Sequence, residues 1–435
     1  MKTTFLFAFL LLFGCGQVSK EPALLEHEGD NSFEKKITID AIDENTVMKY
    51  SEIYSDVRFV RLETQDNCLI GRINKIIAVD DKFIILDEHS AKKIFVFDSS
   101  GKFLNTVGSN GAGPEEYDEP DDMAYDEHND ELLVWCHNRK TIMKFKLDGT
   151  FVKNIKVNYW AASIHAVDKN SCLLYLNNYT QKDGKINDHN ILIIDDSGNV
   201  VSGLLPYNKD GIKLSPPSGD DFFTFQKELL FSPYYRNRTF KINTDSAKIS
   251  TKYFFDFGKN NIPSSLIYSV DTDREFDKKI RNMDYAFNIS FAETASHVVN
   301  SFVYKGRIFS CFHSKESGET KYSSIFINDV HALAASGNHF SCIKDSLLIS
   351  CADPQAFVKL QDFAQELKND AKGTMKKQLK GFNPFTSIFG GKVIDNLLQA
   401  IESSDMKASK EEIDFINSIE ESDNPIIQIS TLKKF

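Results

Sequence analysis

The sequence predicts an all-β fold, a six-bladed β-propeller over residues 35–435 with two mainly helical insertions. One observation is a strand–turn–strand unit, Lys93–Tyr117, which ends in a glycine-rich crossing and recurs along the chain. The other is the spacing of the acidic or amide residue at successive outer hairpin turns: Asp98, Asp148, Asp195 and Asn243. The intervals of 50, 47 and 48 residues each contain four strand-like segments. A near-constant period of this length is typical of propeller blades.

The strands themselves are predicted from alternation. In the first unit, apolar and polar residues alternate or nearly alternate, as they do in half-buried antiparallel strands, around Ile94, Val96, Phe103 and Val107. The glycine-rich crossing Gly108–Tyr117 lacks the GK[ST] ending of a phosphate loop and leads into two glutamates. It therefore indicates a sharp turn between blades.

The last two blades are stretched. The pattern places the fifth outer turn near Asn328. The third strand of the sixth blade is predicted only at residues 424–434. Helical insertions at about 258–296 and 355–421 account for the longer gaps, and a capping box that starts at Ser409 precedes a helix in the second. Residues 57–63 are predicted to pair with 424–434, because strands from both ends can close the ring and remove its free edges.

The N-terminus predicts export. Lys2 and the apolar run Phe5–Phe13 are typical of a signal peptide, and the run is too short to span a bilayer. We therefore expect residues 1–14 to be removed and residues 15–34 to form a polar tether. The formal net charge of −11 argues against nucleic acid or an anionic lipid surface as a partner.

The cysteines after the leader number six and stand mostly in apolar, strand-like contexts: Cys68, Cys136, Cys172, Cys311, Cys342 and Cys351. This context favours buried free thiols. Disulfides remain an alternative in an oxidising compartment, and no pair has zinc-site spacing.

Two motifs resemble known families. Leu12-Phe13-Gly14-Cys15 is similar to a bacterial lipobox, which implies acylation of Cys15 and anchoring in the lipid bilayer of the cell envelope. The crossing 111–117 resembles the G-x-G-P-G-E-Y signature of six-bladed β-propeller lipoproteins of diderm bacteria, distant relatives of NHL-repeat propellers, with Glu115 in place of a glycine. The segment Asn424-Pro425-Ile426-Ile427 matches that family's closing strand. The resemblance implies the fold but no settled activity.

Function is predicted at the loop face, where the b–c and d–a loops of a propeller converge on the central channel. The candidate ligand-binding residues there are Asp87, Glu88, His89, Tyr117, His137 and Arg139. We expect alanine at Arg139 to weaken ligand binding without lowering the melting temperature. The run of six carboxylates between Glu115 and Asp122 could alternatively bind Ca²⁺, although it lacks EF-hand spacing.

Two classes of function fit these observations. The first is a non-catalytic lipoprotein that binds a glycan, a peptide or an envelope protein through the loop face. The second is an NHL-like hydrolase or lyase with a metal in the central channel. The sequence shows neither a nucleophile elbow nor a strong cluster of metal ligands, which favours the binding protein.

Overall fold

The computed structural model describes residues 32–177, 189–206, 221–263, 266, 273–281, 283–331, 340–381 and 383–435. The predicted signal peptide, Cys15 and most of the tether lie outside these residues. Within the described ranges, six sheets with four antiparallel strands each form the blades of a propeller, which confirms the predicted fold class.

The strands follow one another in blade order once the chain has passed the N-terminal segment. That segment forms β1 (Lys35–Thr38), β2 (Val47–Lys49) and β3 (Tyr54–Arg61). Blade 1 consists of β4 (Lys75–Val79), β5 (Lys82–Asp87), β6 (Lys93–Asp98) and β7 (Phe103–Thr106). Blade 2 consists of β8 (Asp122–Asp126), β9 (Glu131–Cys136), β10 (Thr141–Phe145) and β11 (Phe151–Lys156). Blade 3 consists of β12 (Ser163–Asp168), β13 (Ser171–Tyr175), β14 (His189–Asp195) and β15 (Val200–Pro206).

The second half of the ring contains the helices. Blade 4 consists of β16 (Phe222–Phe225), β17 (Glu228–Phe231), β18 (Arg238–Asn243) and β19 (Lys248–Asp256), and helix α1 (Asp273–Arg281) follows it. Blade 5 consists of β20 (Ala286–Glu293), β21 (His297–Tyr304), β22 (Arg307–Ser314) and β23 (Thr320–Ser323), and β24 (Ile325–Ile327) follows it. Blade 6 begins with β25 (Cys342–Lys344) and β26 (Leu347–Ala352). The second insertion then forms α2 (Pro354–Gln361), α3 (Ala364–Asn369), α4 (Ala371–Gly381), α5 (Asn383–Glu402) and α6 (Lys410–Ser418), before β27 (Ile426–Leu432).

The first strand of each blade lies innermost, and neighbouring innermost strands contact one another around a central channel. Apolar side chains from the facing sheets fill the space between adjacent blades. Between blades 1 and 2, for example, Ile84 and Val96 pack with Val134 and Met143. This burial between sheets is the main source of stability in such a ring.

The outer hairpin turns explain the repeated Asp-x-x-Gly motif. In blade 1, Asp98 Oδ1 accepts hydrogen bonds from the backbone N–H groups of Ser100 (2.8 Å) and Lys102 (3.0 Å). Gly101 has φ +90°, and a Cβ at this position would lie 2.1 Å from the carbonyl oxygen of Arg61 in blade 6. Gly198 makes an equally close approach to blade 2 at φ +83°. Glycine is therefore required because the turn conformation and the contact with the preceding blade exclude a side chain.

Blade 6 is assembled from both ends of the chain. Strand β27 lies between β26 and β3, so the outermost strand comes from the N-terminal segment. The buried side chain of Asn424 fixes the entry to β27 by donating to the carbonyl oxygens of Glu63 and Cys68, both at 2.8 Å. It also accepts from the backbone N–H of Ile70 at 2.8 Å.

An N-terminal belt, residues 35–53, runs along the outside of blades 4, 5 and 6. Strand β1 pairs in parallel with the outer strand of blade 4, and β2 pairs in parallel with β24. Between them, Tyr322 and Ser323 of blade 5 donate to the carbonyl oxygens of Ala41 (2.7 Å) and Thr46 (2.6 Å). The sequence did not predict this belt, because parallel pairing over such separations leaves no local turn signal.

Both predicted insertions contain helices, but the first is shorter than predicted. Strand β20 occupies part of the range 258–296, and it is the innermost strand of blade 5. The outer turn of that blade lies between Ser314 and Thr320 instead of near Asn328. The error arose because Ile325–Ile327 has the pattern of a blade strand but pairs with the belt.

The five helices of the second insertion enclose their own apolar core. Phe357, Leu367, Val393 and Ile416 are buried there and pack beside Ile325 of β24. Among the described residues, no helix combines the length and apolar character needed to cross a bilayer.

Candidate binding site in the central channel

The central channel contains a cavity with a volume of about 900 Å³. Residues from the innermost strands of all six blades line it. Ligand sites for small molecules typically have volumes of about 300–1,000 Å³ and mostly apolar walls with a few placed polar groups. The channel fits this description in size.

Aliphatic and aromatic side chains form much of the channel wall, among them Ile77, Val79, Val167, Phe223, Ile289 and Ile343. Polar side chains line it as well, among them Asn74, His128, Ser290 and Ser341. His165 Nε2 lies 3.0 Å from Thr224 Oγ1, and burial lowers the pKa of His165 to about 3, so its imidazole is neutral. Lys75 Nζ lies 2.9 Å from Asp122 Oδ1, which compensates the lysine charge.

Near Arg72, which lines the cavity at its mouth on the loop face, lie carboxyl groups with raised pKa values. Burial raises the pKa of Asp121 to about 7, and the nearby carboxylates of Glu88, Glu119 and Asp118 add to this effect. The backbone N–H of His137 donates to Asp121 at 2.6 Å and opposes it. Near neutral pH, Asp121 can therefore either donate or accept a hydrogen bond.

Glu88 is half-buried at the same mouth. Burial raises its pKa, while the neighbouring His89 and Arg72 act in the opposite direction. Arg72 lines the cavity, and His89 is exposed with its Nε2 3.7 Å from Glu88 Oε2. Of the predicted ligand-binding residues, Glu88 and His89 thus keep side chains that a ligand could reach.

Asp87 and Tyr117 are buried, and their polar atoms bind backbone groups. Asp87 is fully buried and accepts hydrogen bonds from the backbone N–H groups of Gly71 (2.7 Å), Arg72 (3.0 Å) and Ser90 (2.8 Å). Tyr117 is also fully buried, and its hydroxyl donates to the carbonyl oxygen of Val107 at 2.9 Å. Their polar atoms fix loops of the ring and leave no surface for a ligand.

Arg139 also has a structural environment. Its guanidinium donates to the carbonyl oxygens of Glu116 and Gly111, both at 2.6 Å, and its Nε lies 3.3 Å from Asp118. These contacts clamp the glycine-rich crossing onto blade 2. His137 is half-buried beside them, where its Nδ1 lies 3.1 Å from the carbonyl oxygen of Ala161 and its ring packs 4.3 Å from that of Trp160.

The acidic run does not converge on a cation. Glu116 accepts from the backbone N–H of Gly113 at 2.8 Å, and Glu119 forms an ion pair with Lys92. Across the residues that the structure describes, no group of three or more His, Cys, Asp or Glu side chains could hold a metal ion. The donor set for Ca²⁺ or for a channel metal is therefore not found in these ranges.

The six cysteines of the described chain are free thiols, as the sequence favoured. Cys68, Cys136, Cys172 and Cys311 are buried, and Cys342 and Cys351 are half-buried. Cys15 lies outside the described residues.

Sequence reasoning missed the channel residues His165 and Thr224. Each residue is polar and stands between apolar residues in the innermost strand of its blade. Such a polar residue in an otherwise apolar strand was the signal available for a channel site. The pattern could not show that side chains 59 positions apart, on the innermost strands of neighbouring blades, contact each other.

Comparisons with known proteins agree with this architecture. The model of a domain of unknown function, DUF4934, matches residues 34–373, which is more than half of the chain. An exported-protein candidate from Bacteroides fragilis NCTC 9343 has a similar solved structure, with a TM-score of 0.68 and 15% identity over 92% of this chain and 99% of that one.

More distant structures share less. A member of the DUF4221 family from Bacteroides vulgatus ATCC 8482 gives a TM-score of 0.41 at 10% identity, over 63% of this chain and 84% of that one. BamB from Moraxella catarrhalis gives 0.34 at 7% identity, over 60% and 66%. No curated protein matches the chain. The match over residues 34–373 nevertheless shows that the chain belongs to the DUF4934 family.

Proposed function

We propose that this chain is an exported, lipid-anchored binding protein of the cell envelope that takes a small ligand into its central channel from the loop face. The observation that carries the proposal is the cavity of about 900 Å³ enclosed by the innermost strands. Its apolar walls and its polar mouth favour a ligand with an apolar body and a polar end.

Among the ligand classes predicted from the sequence, peptides fit this cavity best. Peptide side chains can fill the apolar space around Ile77 and Ile289, which the hydroxyl-rich surface of a glycan would leave poorly paired. A peptide terminus could meet Arg72, Glu88 or Asp121 at the mouth. An envelope protein would then bind by inserting an exposed end of its chain, because a folded domain does not fit the cavity.

The test is a thermal-shift screen of peptides and glycans, since a ligand that binds the folded state raises its melting temperature. The hits are then measured against Thr224→Trp, which places a large ring in the channel, and against Leu104→Trp on the exposed outer strand of blade 1. We expect Thr224→Trp to weaken binding at least tenfold, about 1.4 kcal/mol, and Leu104→Trp to leave it unchanged. A ligand that binds both variants equally well would place the site outside the channel.

Anchoring rests on the lipobox-like segment Leu12–Cys15. The name of the Bacteroides fragilis neighbour is in keeping with export. We expect wild-type protein to fractionate with membranes and to carry the added mass of acyl chains, and Cys15→Ala to become soluble without them. Unchanged mass and membrane association in Cys15→Ala would exclude acylation at this residue.

A further inference from the structure

Four serines form a continuous cross-strand row through blade 5. Ser290 of β20 is paired with Ser301 of β21, Ser301 with Ser310 of β22, and Ser310 with Ser323 of β23. Because directly paired residues share a face of the sheet, the four hydroxyls lie on one side of the blade. The row begins at the central cavity, which Ser290 lines, and ends at the outermost strand.

The row faces blade 6. Residues two apart on a strand share a face, so Ser301 points to the same side as Val299. Val299 packs with Leu348 of blade 6 in the apolar cluster between these blades. The serines therefore lie inside the seam between blades 5 and 6, where Ser301 and Ser323 are fully buried and Ser310 is 5% exposed.

The facing surface of blade 6 also carries polar side chains. Ser350 of β26 is paired with Gln428 of β27, on the face that carries Leu348. Gln428 is 2% exposed and its Nε2 donates to the hydroxyl of Ser430 at 2.9 Å. Polar side chains of both blades thus lie buried on the two sides of this seam.

Part of this polar surface has no partner among the residues that the structure describes. The hydroxyl oxygens of Ser290 and Ser301 make no hydrogen bond to any of the described residues. A buried hydroxyl without a partner is unfavourable, and buried polar groups of this kind are commonly satisfied by ordered water. Neighbouring strands lie about 4.8 Å apart. One water molecule at about 2.8 Å from each of two hydroxyls bridges that distance.

We infer that the seam between blades 5 and 6 binds a file of ordered water molecules, which bridges the hydroxyls of Ser290, Ser301 and Ser310 and is continuous with the central channel. The ligand of this site is water, held by hydroxyls of blade 5 and by the polar groups of blade 6. The site is independent of the proposed function, since it requires no ligand in the channel.

The sign of a stability change tests the inference. If Ser301 is unsatisfied, Ser301→Ala removes an unfavourable group and raises the melting temperature. If water bridges it, the variant loses those hydrogen bonds, and we expect the melting temperature to fall by about 1–2 °C. Ser250→Ala, on the exposed surface of β19, is the matched control and should leave the melting temperature unchanged.

A crystal structure of the wild-type protein that resolves ordered solvent provides the second measurement. We expect water density between Ser290 and Ser301 and between Ser301 and Ser310. Hydroxyls that pair directly with no water between them, or a melting temperature of Ser301→Ala that is unchanged or raised, would overturn the inference. The density decides the matter if the variant does not fold.

Discussion

The imidazole of His331 joins the carboxylate of Glu412 to the outer strand of blade 6. Its Nδ1 contacts Glu412, and its Nε2 lies 2.5 Å from the carbonyl oxygen of Val57. Both partners are acceptors, so both ring nitrogens must donate, and only the imidazolium can do so. Glu412 also belongs to the capping box of α6, so this contact connects the helical insertion to the ring.

His331→Gln should make stability less dependent on pH. The hydrogen bond to Glu412 raises the pKa of His331 above 6.5, so its contribution is complete below that value and is lost as pH rises through the raised pKa. His331 lowers the pKa of Glu412 below 4.5, so the contribution of Glu412 is lost as pH falls through the lowered pKa.

Melting temperatures of wild type and variant between pH 4 and 8 measure this effect. The difference should be greatest between about pH 4.5 and 6.5 and should shrink towards higher pH. His128→Gln, at an exposed imidazole, serves as control. A difference that does not vary with pH would contradict the charged pair.

Arg139→Ala should destabilise the protein, which replaces the expectation from the sequence that its melting temperature would not change. The substitution leaves the carbonyl oxygens of Gly111 and Glu116 without their charged donor, at a cost of about 2 kcal/mol. Hydrogen exchange in residues 109–117 should accelerate. Arg139→Lys retains the charge but not the planar group, so it should restore only part of the protection. Unchanged exchange in both variants would exclude the clamp.

Asn424→Ala should unfold the ring at a much lower denaturant concentration. It removes the side-chain hydrogen bonds to three backbone groups, those of Glu63, Cys68 and Ile70, and we expect a loss of at least about 3 kcal/mol. Asn424→Asp is the matched variant. An aspartate can still accept from Ile70 but cannot donate to the two carbonyl oxygens, so it should rescue little. Full rescue by aspartate would show that the two donated bonds are unimportant.

A pair of glycines separates backbone strain from steric contact. Gly101 and Gly318 both have positive φ angles, +90° and +75°. A Cβ on Gly318 has nothing within 4 Å, whereas one on Gly101 would meet Arg61 of the neighbouring blade. Gly318→Ala should therefore cost about 1–2 kcal/mol in the free energy of unfolding. Gly101→Ala should cost clearly more, and equal losses in chemical denaturation would argue against the contact between blades.

The fold was predictable wherever a local signal existed. The turn at Asp98 forms hydrogen bonds to its own backbone, so its motif recurs wherever the same turn recurs. The phase of blade 5 was not predictable, because Ile325–Ile327 has the alternation of a blade strand and nothing in its own residues specifies β2 as its partner. Alternation of apolar and polar residues indicates that one face of a strand is buried. It does not indicate which strand lies next to it in the sheet.

The candidate site was less predictable than the fold. The repeat pattern predicted that polar loop residues such as Asp87 and Arg139 lie near the mouth of the channel. Their polar atoms bind backbone groups of the crossings between blades. A polar side chain is free to bind a ligand only if no nearby backbone group needs it as a hydrogen-bond partner. Only the folded ring determines this.

The belt has a consequence for the order in which the ring can form during synthesis. Residues of β1, β2 and β3 leave the ribosome first, but their partners lie in β19, β24 and β27. Ser55 and the residue that its hydroxyl contacts, Thr431, are 376 positions apart. At a typical elongation rate of about 5–20 residues per second, β3 stays unpaired for roughly 20–80 seconds, and β1 and β2 wait a shorter time for their partners. Throughout that interval they are exposed edges open to aggregation or to a chaperone.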